Sequence, residues 1–430
     1  MEKSSNKQDM KKSLKLALLS LFLLTAFLSC KKDKEVADPV TPVKLYEMVE
    51  TDTIPLPLEL IQGILSDIGD IDINDIDVSV IPNGIETDAA VDSITANWDS
   101  GIIAEKMYYS SKDVAGNPAK LSGRVYVEFG TSKNLKGIIL ANHYTKAADR
   151  ECPSNRIIQI EAIFSVLGYA VVMPDYIGYG KTVDMRHPYL DWASTAQSCI
   201  DSYLAARQYL EDNGYNIGDE IYNIGYSQGG SSAMATLRMV TESYHNKIQF
   251  TKSFMGGGVY DIEATFDDVV EKDFTGIPYG MPLIISGLDC AQNLNLNLDS
   301  IFIGKTRENY RMVLSKQYNA DELDEVLTDN KASDIFNAFM FDKTHPVTAK
   351  IMNAAGKNRL TDTWTPNSGE DISILHSTSD DMVPYVNSEL MVEALEETDC
   401  DVEFISGDFG THKVGAILFY INILGYLLGF

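Results

Sequence analysis

The chain has 430 residues, of which 45% are apolar and 30 are glycine, and its formal net charge at pH 7 is −27. This length accommodates one large α/β domain with an insertion or two ordinary domains, and the composition excludes a disordered or fibrous protein. The acidic balance excludes general affinity for nucleic acid, because the phosphate backbone would be repelled. It indicates a soluble surface and, more weakly, a neutral or cationic substrate.

Residues 1–29 have the pattern of a secretory signal peptide. Lysines at positions 11, 12 and 15 precede an apolar run at residues 16–28, which is shorter than a comfortable transmembrane span. Ser29 and Cys30 end this run and resemble the lipobox of bacterial lipoproteins. The resemblance implies that Cys30 becomes the acylated first residue of the mature protein and anchors it to a membrane. The charged residues 31–35 are similar to the export signal of surface lipoproteins in the Bacteroidetes. We therefore expect an exported lipoprotein on the outer membrane, at its periplasmic face or at the cell surface; ordinary secretion is the alternative.

Residues 30–96 are interpreted mainly as an acidic tether and N-terminal flank, part of which could pack as strands or a short helix. The acidic run at residues 67–77 lacks a correctly placed glycine and terminal glutamate, which disfavours a calcium loop of the EF-hand type. The cysteines after Cys30 show no spacing typical of a zinc site, so no metal site is predicted. One or two disulfides are possible in an exported protein, and the sequence does not assign their pairing among Cys152, Cys199, Cys290 and Cys400.

Residues 97–259 show alternating strand and helix patterns. Strands are predicted at residues 102–110, 121–129, 136–142, 168–174 and 250–255, with a turn at 113–118 and helices at 154–167 and around 196–210. Short apolar strands separated by amphipathic helices are typical of a mostly parallel twisted sheet with helices on both faces. We therefore predict an α/β fold and assign this segment to the first part of its core.

A short apolar run at residues 221–224 meets Gly225-x-Ser227-x-Gly229, and a helix-compatible stretch follows at residues 231–240. This order of strand, sharp turn and helix is the pattern of a nucleophile elbow. The glycines have no Cβ where strand and helix nearly touch, and the turn forces Ser227 into a strained conformation that exposes its Oγ. The Gln228 N–H, at a helix N terminus, is then aimed at a developing oxyanion.

From residue 260 to residue 363 the alternation stops, and helices are predicted at residues 267–272, 310–318, 321–328 and 333–341. We interpret this insertion as a helical lid that shapes the substrate pocket. The alternation resumes in residues 364–430, the second part of the core, with strands at 371–376 and 401–405. The apolar residues 414–428 are predicted to form a last helix that packs on the core rather than a membrane span.

A serine nucleophile needs a histidine that takes its proton and a carboxylate that orients this histidine. After this type of elbow the acid precedes the histidine along the chain. His412 lies in the loop between the last strand and the last helix, where the base is expected. The other histidines after Ser227 are less suited, because His245 ends the elbow helix, His345 falls in the lid and His376 precedes the acid candidates.

Two adjacent aspartates follow the strand at residues 371–376. Either Asp380 or Asp381 could turn toward His412. Asp380 is favoured because it begins Asp-x-x-Val-Pro384, which resembles the segment that closes the corresponding loop in enzymes with this type of elbow. Asp381 is then interpreted as a solvated neighbour or as a charge in the first turn of the next helix.

The second oxyanion donor is expected in the loop after the third strand of the core. This loop begins at Asn142-His143, and the backbone N–H of either Tyr144 or Thr145 is the predicted donor. His143 itself is interpreted as a structural hydrogen-bonding residue rather than a catalytic one.

Five segments together resemble the secretory lipase group of the α/β-hydrolase superfamily. They are Gly225-x-Ser227-Gln-Gly-Gly230, Pro174-Asp-Tyr-x-Gly-x-Gly180, His187-Pro-Tyr-Leu190, Trp364-Thr-Pro366 and Asp380-x-x-Val-Pro384. The resemblance covers residues 101–415 and implies hydrolysis of carboxylic esters through an acyl-enzyme, with a Ser-Asp-His triad and without a metal or organic cofactor. Two departures are visible: Tyr144 follows His143 where glycine is usual, and Ser377 follows His376 where glycine is usual.

The ester substrate is left open between a lipid and an acylated carbohydrate. A serine peptidase of the oligopeptidase type is the nearest alternative enzyme, but the chain has neither room nor repeats for the propeller domain that such peptidases carry. A non-catalytic binding lipoprotein on a hydrolase scaffold is an alternative of a different class. The ordered set of Ser227, Asp380 and His412 disfavours it, and labelling by a fluorophosphonate would distinguish it from both enzymes.

Overall fold

In the computed structural model, nine strands of the described chain form one sheet with the order β1-β2-β3-β5-β4-β6-β7-β8-β9. The strands are β1 (Tyr46–Ile54), β2 (Ile102–Lys112), β3 (Pro118–Glu128), β4 (Asn134–Asn142), β5 (Tyr169–Pro174), β6 (Asn216–Tyr226), β7 (Lys252–Gly256), β8 (Asp371–Ser377) and β9 (Asp401–Gly407). The pairs β1–β2, β2–β3 and β3–β5 are antiparallel. The pairs β5–β4, β4–β6, β6–β7, β7–β8 and β8–β9 are parallel. The predicted mostly parallel sheet is confirmed.

The structure describes residues 44–54, 76–84, 101–130, 133–362, 366 and 369–430. The described residues belong to one compact unit. The predicted signal peptide, Cys30, most of the acidic flank and Trp364 lie outside the described residues. No helix in the described ranges combines the length and the hydrophobicity that a bilayer crossing requires.

The helices of the described chain fall into those that flank the sheet and those of the insertion. They are α1 (Trp192–Asp212), α2 (Gln228–Met239), α3 (Ile262–Lys272), α4 (Gly280–Gln292), α5 (Leu298–Ile301), α6 (Gly304–Ser315), α7 (Ala320–Asp324), α8 (Ala332–Ile335), α9 (Pro346–Lys357), α10 (Val386–Glu396) and α11 (His412–Leu428), with a 3-10 helix at Ile160–Leu167.

The two faces of the sheet are covered by different helices, because neighbouring side chains on a strand point to opposite sides. Ile138 and Leu140 of β4 belong to a buried cluster that includes side chains of α1, α2 and α10. Ile139 and Ala141 belong to a second cluster with the 3-10 helix and α11. The predicted helical cover on both faces is thus confirmed, and α11 packs on the core.

Helices α3 to α9 lie between β7 and β8 in the chain and have a buried apolar cluster of their own. This cluster also contains Ala147 from the loop after β4, and Tyr189 and Leu190 from the loop after β5. Because these loops follow parallel strands, the insertion packs against the sheet edge at which the parallel strands end. Helices α4 and α9 were missed from sequence. Each has a proline in its first turn, Pro282 and Pro346, where proline is tolerated because the N–H groups of the first turn have no partner within the helix.

The helix predicted at residues 154–167 is wrong in its first half, since only Ile160–Leu167 is helical. Arg124 of β3 is 1% exposed and binds the backbone that precedes the helix. Its Nε donates to Pro153 O at 2.9 Å, and its Nη2 donates to Ser154 O at 3.0 Å. These long-range contacts direct the two carbonyls toward the sheet, so the local helical pattern is overridden.

Candidate active site

The turn between β6 and α2 holds Ser227 in a conformation that non-glycine residues rarely adopt. Its backbone angles are φ 60° and ψ −125°, and its N–H donates to Gly256 O at 2.8 Å, so the end of β7 fixes the strained residue. A Cβ on Gly225 would lie 2.1 Å from Gly229 O, and a Cβ on Gly229 would lie 2.1 Å from Asn142 O. The predicted sharp turn and the steric need for its two glycines are confirmed.

His412 is the first residue of α11 rather than part of the preceding loop, and its ring contacts Asp380. His412 Nδ1 lies 2.6 Å from Asp380 Oδ2. Asp380 Oδ1 accepts from the backbone N–H groups of Met382 (2.9 Å) and Val383 (2.8 Å). Because an ionised carboxylate only accepts, Nδ1 carries the proton of the neutral ring and Nε2 can accept one. Asp381 binds the backbone instead, since its Oδ1 accepts from the His412 N–H at 3.0 Å.

The charge of Asp380 is maintained although its side chain is shielded from solvent. Burial alone would raise the pKa of this carboxyl group. Hydrogen bonds from His376 and His412 outweigh burial and hold the pKa of Asp380 well below its ordinary value. The carboxylate is therefore ionised at neutral pH and can stabilise a positive charge on His412.

The segment after β7 brings the elbow and the histidine together. Gly257 has φ 49°, and a Cβ at this residue would lie 3.1 Å from His412 Cε1. Tyr226, which precedes the candidate nucleophile, has its ring centroid 4.9 Å from that of His412 and donates its hydroxyl to His412 O at 2.9 Å. Between these described residues no hydrogen bond joins Ser227 Oγ to the imidazole. Such contacts are often long before substrate binds.

The loop after β4 lies beside the first turn of α2, where Asn142 O closely approaches the helix. The Gln228 N–H belongs to this first turn, in which backbone N–H groups have no carbonyl partner within the helix. Thr145 is held by a hydrogen bond of 2.8 Å between its Oγ1 and Tyr189 OH. The predicted oxyanion donors Gln228, Tyr144 and Thr145 are therefore on adjoining segments.

His143 is fully buried, and burial together with the nearby charge of Lys146 lowers its pKa to about 3. Its Nδ1 lies 2.7 Å from Tyr144 O and therefore donates to this carbonyl. The ring stacks on Tyr176 with centroids 4.0 Å apart. A ring that binds a proton this weakly is unsuited to general base catalysis, which agrees with its interpretation as a structural residue.

His187 contacts the elbow, a role that the sequence analysis did not assign. Its Nδ1 donates to Ile177 O at 2.7 Å, and its Nε2, 3.3 Å from Gln228 Nε2, accepts from that amide. Burial lowers the pKa of His187 to about 4, so the ring stays neutral and can accept. His187 therefore orients the side chain of Gln228. In the sequence, the one indication that this histidine has a role was its position in the segment His187-Pro-Tyr-Leu190.

Two residues at the end of β8 also contact the acid side of the site. His376 Nε2 lies 3.2 Å from Asp380 Oδ2. Ser377 Oγ donates to Gly410 O at 2.6 Å and thereby ties β8 to the loop before α11. Ser377 stands where glycine usually follows this histidine, and its hydroxyl makes a hydrogen bond that glycine could not make. In the described part of the chain, no group of three or more His, Cys, Asp or Glu residues has the arrangement of a metal site.

This strand order, with an elbow serine after β6 and the insertion after β7, is the architecture of the α/β-hydrolases. Comparison with known proteins identifies the family more closely. The model of the secretory lipase family matches residues 155–418, and the chain belongs to this family. The protein is therefore a carboxylic ester hydrolase that acts on an ester substrate, and its family indicates that it is exported.

Several solved structures share the fold. A protein from Legionella pneumophila, crystallised as a candidate hydrolase, has a TM-score of 0.70 and 19% identity, covering 88% of this chain and 96% of its own. The rice cell wall degrading esterase LipA from Xanthomonas oryzae has a TM-score of 0.62 and 20% identity over 79% of this chain and 93% of its own. Lipase A from Candida antarctica has a TM-score of 0.54 and 15% identity over 84% of this chain and 83% of its own. No curated protein is significantly similar in sequence.

Proposed function

We propose that the protein hydrolyses esters through an acyl-enzyme formed on Ser227, with Asp380 and His412 completing the triad. The observation that carries this proposal is the 2.6 Å contact between His412 Nδ1 and Asp380 Oδ2, next to a strained serine at an elbow. Asp380 keeps the proton of the neutral ring on Nδ1, and Nε2 is then free to take the proton of Ser227.

Ser227 Oγ attacks the ester carbonyl while His412 Nε2 takes its proton. The carbonyl oxygen becomes an oxyanion, which the backbone N–H of Gln228 and that of Tyr144 or Thr145 bind. The tetrahedral intermediate then breaks its bond to the leaving oxygen, which takes the proton from the imidazolium and departs as the alcohol. Water, deprotonated by the same histidine, attacks the acyl-enzyme, and the second intermediate releases the acid and regenerates the serine.

The test of this proposal is Ser227→Ala. We expect turnover of a p-nitrophenyl ester to fall by about 10⁴-fold or more, with an unchanged melting temperature, because the attacking group is removed. A fluorophosphonate probe should label the wild type and not the variant. Ser315→Ala, on α6, is the matched control and should keep both activity and labelling. Retained activity in Ser227→Ala would remove this serine from the mechanism, and a wild type without turnover or labelling would favour a binding lipoprotein.

Residues 260–363 act as a lid in this proposal, because the insertion contacts both sides of the site. Its apolar cluster includes Tyr189, whose hydroxyl binds Thr145 of the oxyanion loop. On the other side, a Cβ on Gly276 would lie 1.7 Å from Asp381 O, so the insertion backbone packs directly on the acid loop. A motion of the insertion would therefore change access to the carbonyl and to the triad together.

The substrate in this proposal is the ester of a lipid or of an acylated carbohydrate. The Xanthomonas structure is that of an esterase that degrades rice cell wall, and the Candida structure is that of a lipase, so both classes occur among proteins with this fold. Initial rates on p-nitrophenyl esters of increasing acyl length and on acetylated xylan separate the two. A peptide substrate in the same panel tests the alternative serine peptidase of the oligopeptidase type.

The enzyme acts as a lipoprotein held on the outer membrane through Cys30, at the periplasmic face or the cell surface. The export implied by its family and the Ser29-Cys30 sequence after an apolar run support this part of the proposal. Cys30→Ser should move the active enzyme from the membrane fraction to the soluble fraction. Cys290→Ser, which changes a cysteine of the folded unit, is the control and should leave the enzyme in the membrane fraction.

A further inference from the structure

His376 makes three hydrogen-bonding contacts although its ring has only two nitrogens. Its Nε2 lies 3.2 Å from Asp380 Oδ2 and 3.2 Å from Val383 O. Its Nδ1 lies 2.7 Å from Ser388 Oγ, on α10. The residue is fully buried, so each of these contacts replaces a hydrogen bond with water.

The partners of His376 determine which nitrogen carries its proton. Asp380 Oδ2 and Val383 O can only accept, so Nε2 must donate. In a neutral ring Nδ1 is then an acceptor, and the Ser388 hydroxyl donates to it. One tautomer satisfies all three contacts: the two acceptors at Nε2 select it, and the Ser388 hydroxyl, which can donate or accept, donates to Nδ1.

Two imidazoles therefore donate to the same carboxylate oxygen. His412 Nδ1 reaches Asp380 Oδ2 at 2.6 Å, and His376 Nε2 reaches it at 3.2 Å. The other oxygen is held by the N–H groups of Met382 and Val383. Four donors thus define the plane of the carboxylate.

We propose that His376 is a positioning residue for ester hydrolysis: it holds the Asp380 carboxylate in the plane that His412 requires. This inference rests on the proposed triad. The ionisable groups that face His412 are Asp380, the Asp381 carboxylate at its backbone N–H and the Tyr226 ring. Only Asp380 is also bound by His376.

A purely structural role would have a different consequence. The His376 ring also packs edge-on against Tyr385, with centroids 5.5 Å apart, so its loss must lower stability in either case. The two roles differ in catalysis. A structural residue changes the melting temperature alone, whereas a positioning residue changes kcat, and a side chain that donates from the place of Nε2 restores it.

The decisive experiment compares His376→Gln with His376→Asn. The terminal nitrogen of glutamine reaches the place of Nε2, whereas that of asparagine reaches only the place of Nδ1 and leaves Asp380 without this donor. We measure kcat and KM on a p-nitrophenyl ester from pH 4 to 9, per active site titrated with a fluorophosphonate. His376→Asn should lower kcat about tenfold with little change in KM. His376→Gln should restore kcat to within about threefold of the wild type.

Any other pattern overturns the inference, including equal behaviour of the two variants or a change in melting temperature alone. Should His376→Asn not fold, Ser388→Ala takes its place. This variant removes the hydroxyl that holds the ring at Nδ1, so His376 holds Asp380 less firmly and kcat should fall about threefold; an unchanged kcat would overturn the inference as well. Failure of the triad itself is separately visible, since Ser227→Ala would then remain active.

Discussion

Asp380→Asn exchanges a charged acceptor for a neutral amide of almost the same shape, so it isolates the charge that faces the base. Asp380 Oδ1 accepts from two backbone N–H groups, and Oδ2 faces two imidazoles. If the amide nitrogen takes the place of Oδ2, it meets two other donors. His412 can relieve this conflict only by moving its proton to Nε2, and it can then no longer accept the proton of Ser227.

The size of the effect follows from the distance between His412 and Asp380. At 2.6 Å, and with an effective dielectric constant of about 20, two unit charges attract each other by about 6 kcal/mol. His412 is positively charged in the transition state but neutral in the resting enzyme, so most of this attraction is specific to the transition state. Because 1.36 kcal/mol changes a rate tenfold, we expect kcat to fall by about 10⁴-fold. KM should change little, since the pair is shielded from solvent.

The assay measures kcat and KM on a p-nitrophenyl ester, with the melting temperature as the test of folding. Asp381→Asn is the matched control, because an asparagine oxygen can still accept from the His412 N–H. We expect this control to keep kcat within about threefold of the wild type. A large loss in Asp381→Asn with a small loss in Asp380→Asn would refute the assignment of Asp380 as the acid.

Two further predictions concern stability. Gly229→Ala should lower the free energy of unfolding by about 2–3 kcal/mol and abolish activity, since its Cβ would meet a backbone oxygen at 2.1 Å. Gly356 lies in open space on α9, so Gly356→Ala should instead raise the free energy of unfolding by about 0.5–1 kcal/mol. Asp52→Ala should cost about 3 kcal/mol in chemical denaturation, because it leaves the Arg124 side chain, 2% exposed, without its carboxylate. Glu47→Ala, which breaks an exposed pair, should cost less than about 1 kcal/mol. Equal losses within either pair of variants would contradict these arguments.

The elbow was readable from sequence because all its determinants are local. A strand, a turn with glycines at positions 225 and 229, and a helix occur within about twenty residues, and each has a steric reason that no distant contact can replace. The mostly parallel sheet was readable for the same reason, since the alternation of short apolar strands and amphipathic helices is a property of the chain itself.

The contacts of the acid loop were not readable in this way. Asp380 and Asp381 are adjacent and identical, and only the resemblance of Asp380-x-x-Val-Pro384 to a known loop favoured Asp380; nothing in the sequence indicated that Asp381 would contact the His412 backbone. The turn after β8 decides this, because the N–H groups of Met382 and Val383 bind Asp380 Oδ1 and thereby orient Oδ2. The contact of His376 with the same oxygen was missed, since chain order was used only to exclude it as the base.

From the sequence alone follow the fold class, the elbow with its strained Ser227 and the position of His412 after the last strand. Tertiary structure alone decided that Arg124 would prevent a helix at residue 154 and that His187 would hold Gln228. The physical reason is the range of the interactions. Periodicity, turn sterics and chain order act within one segment, whereas the direction of a buried hydrogen bond depends on segments that meet only after the chain has folded.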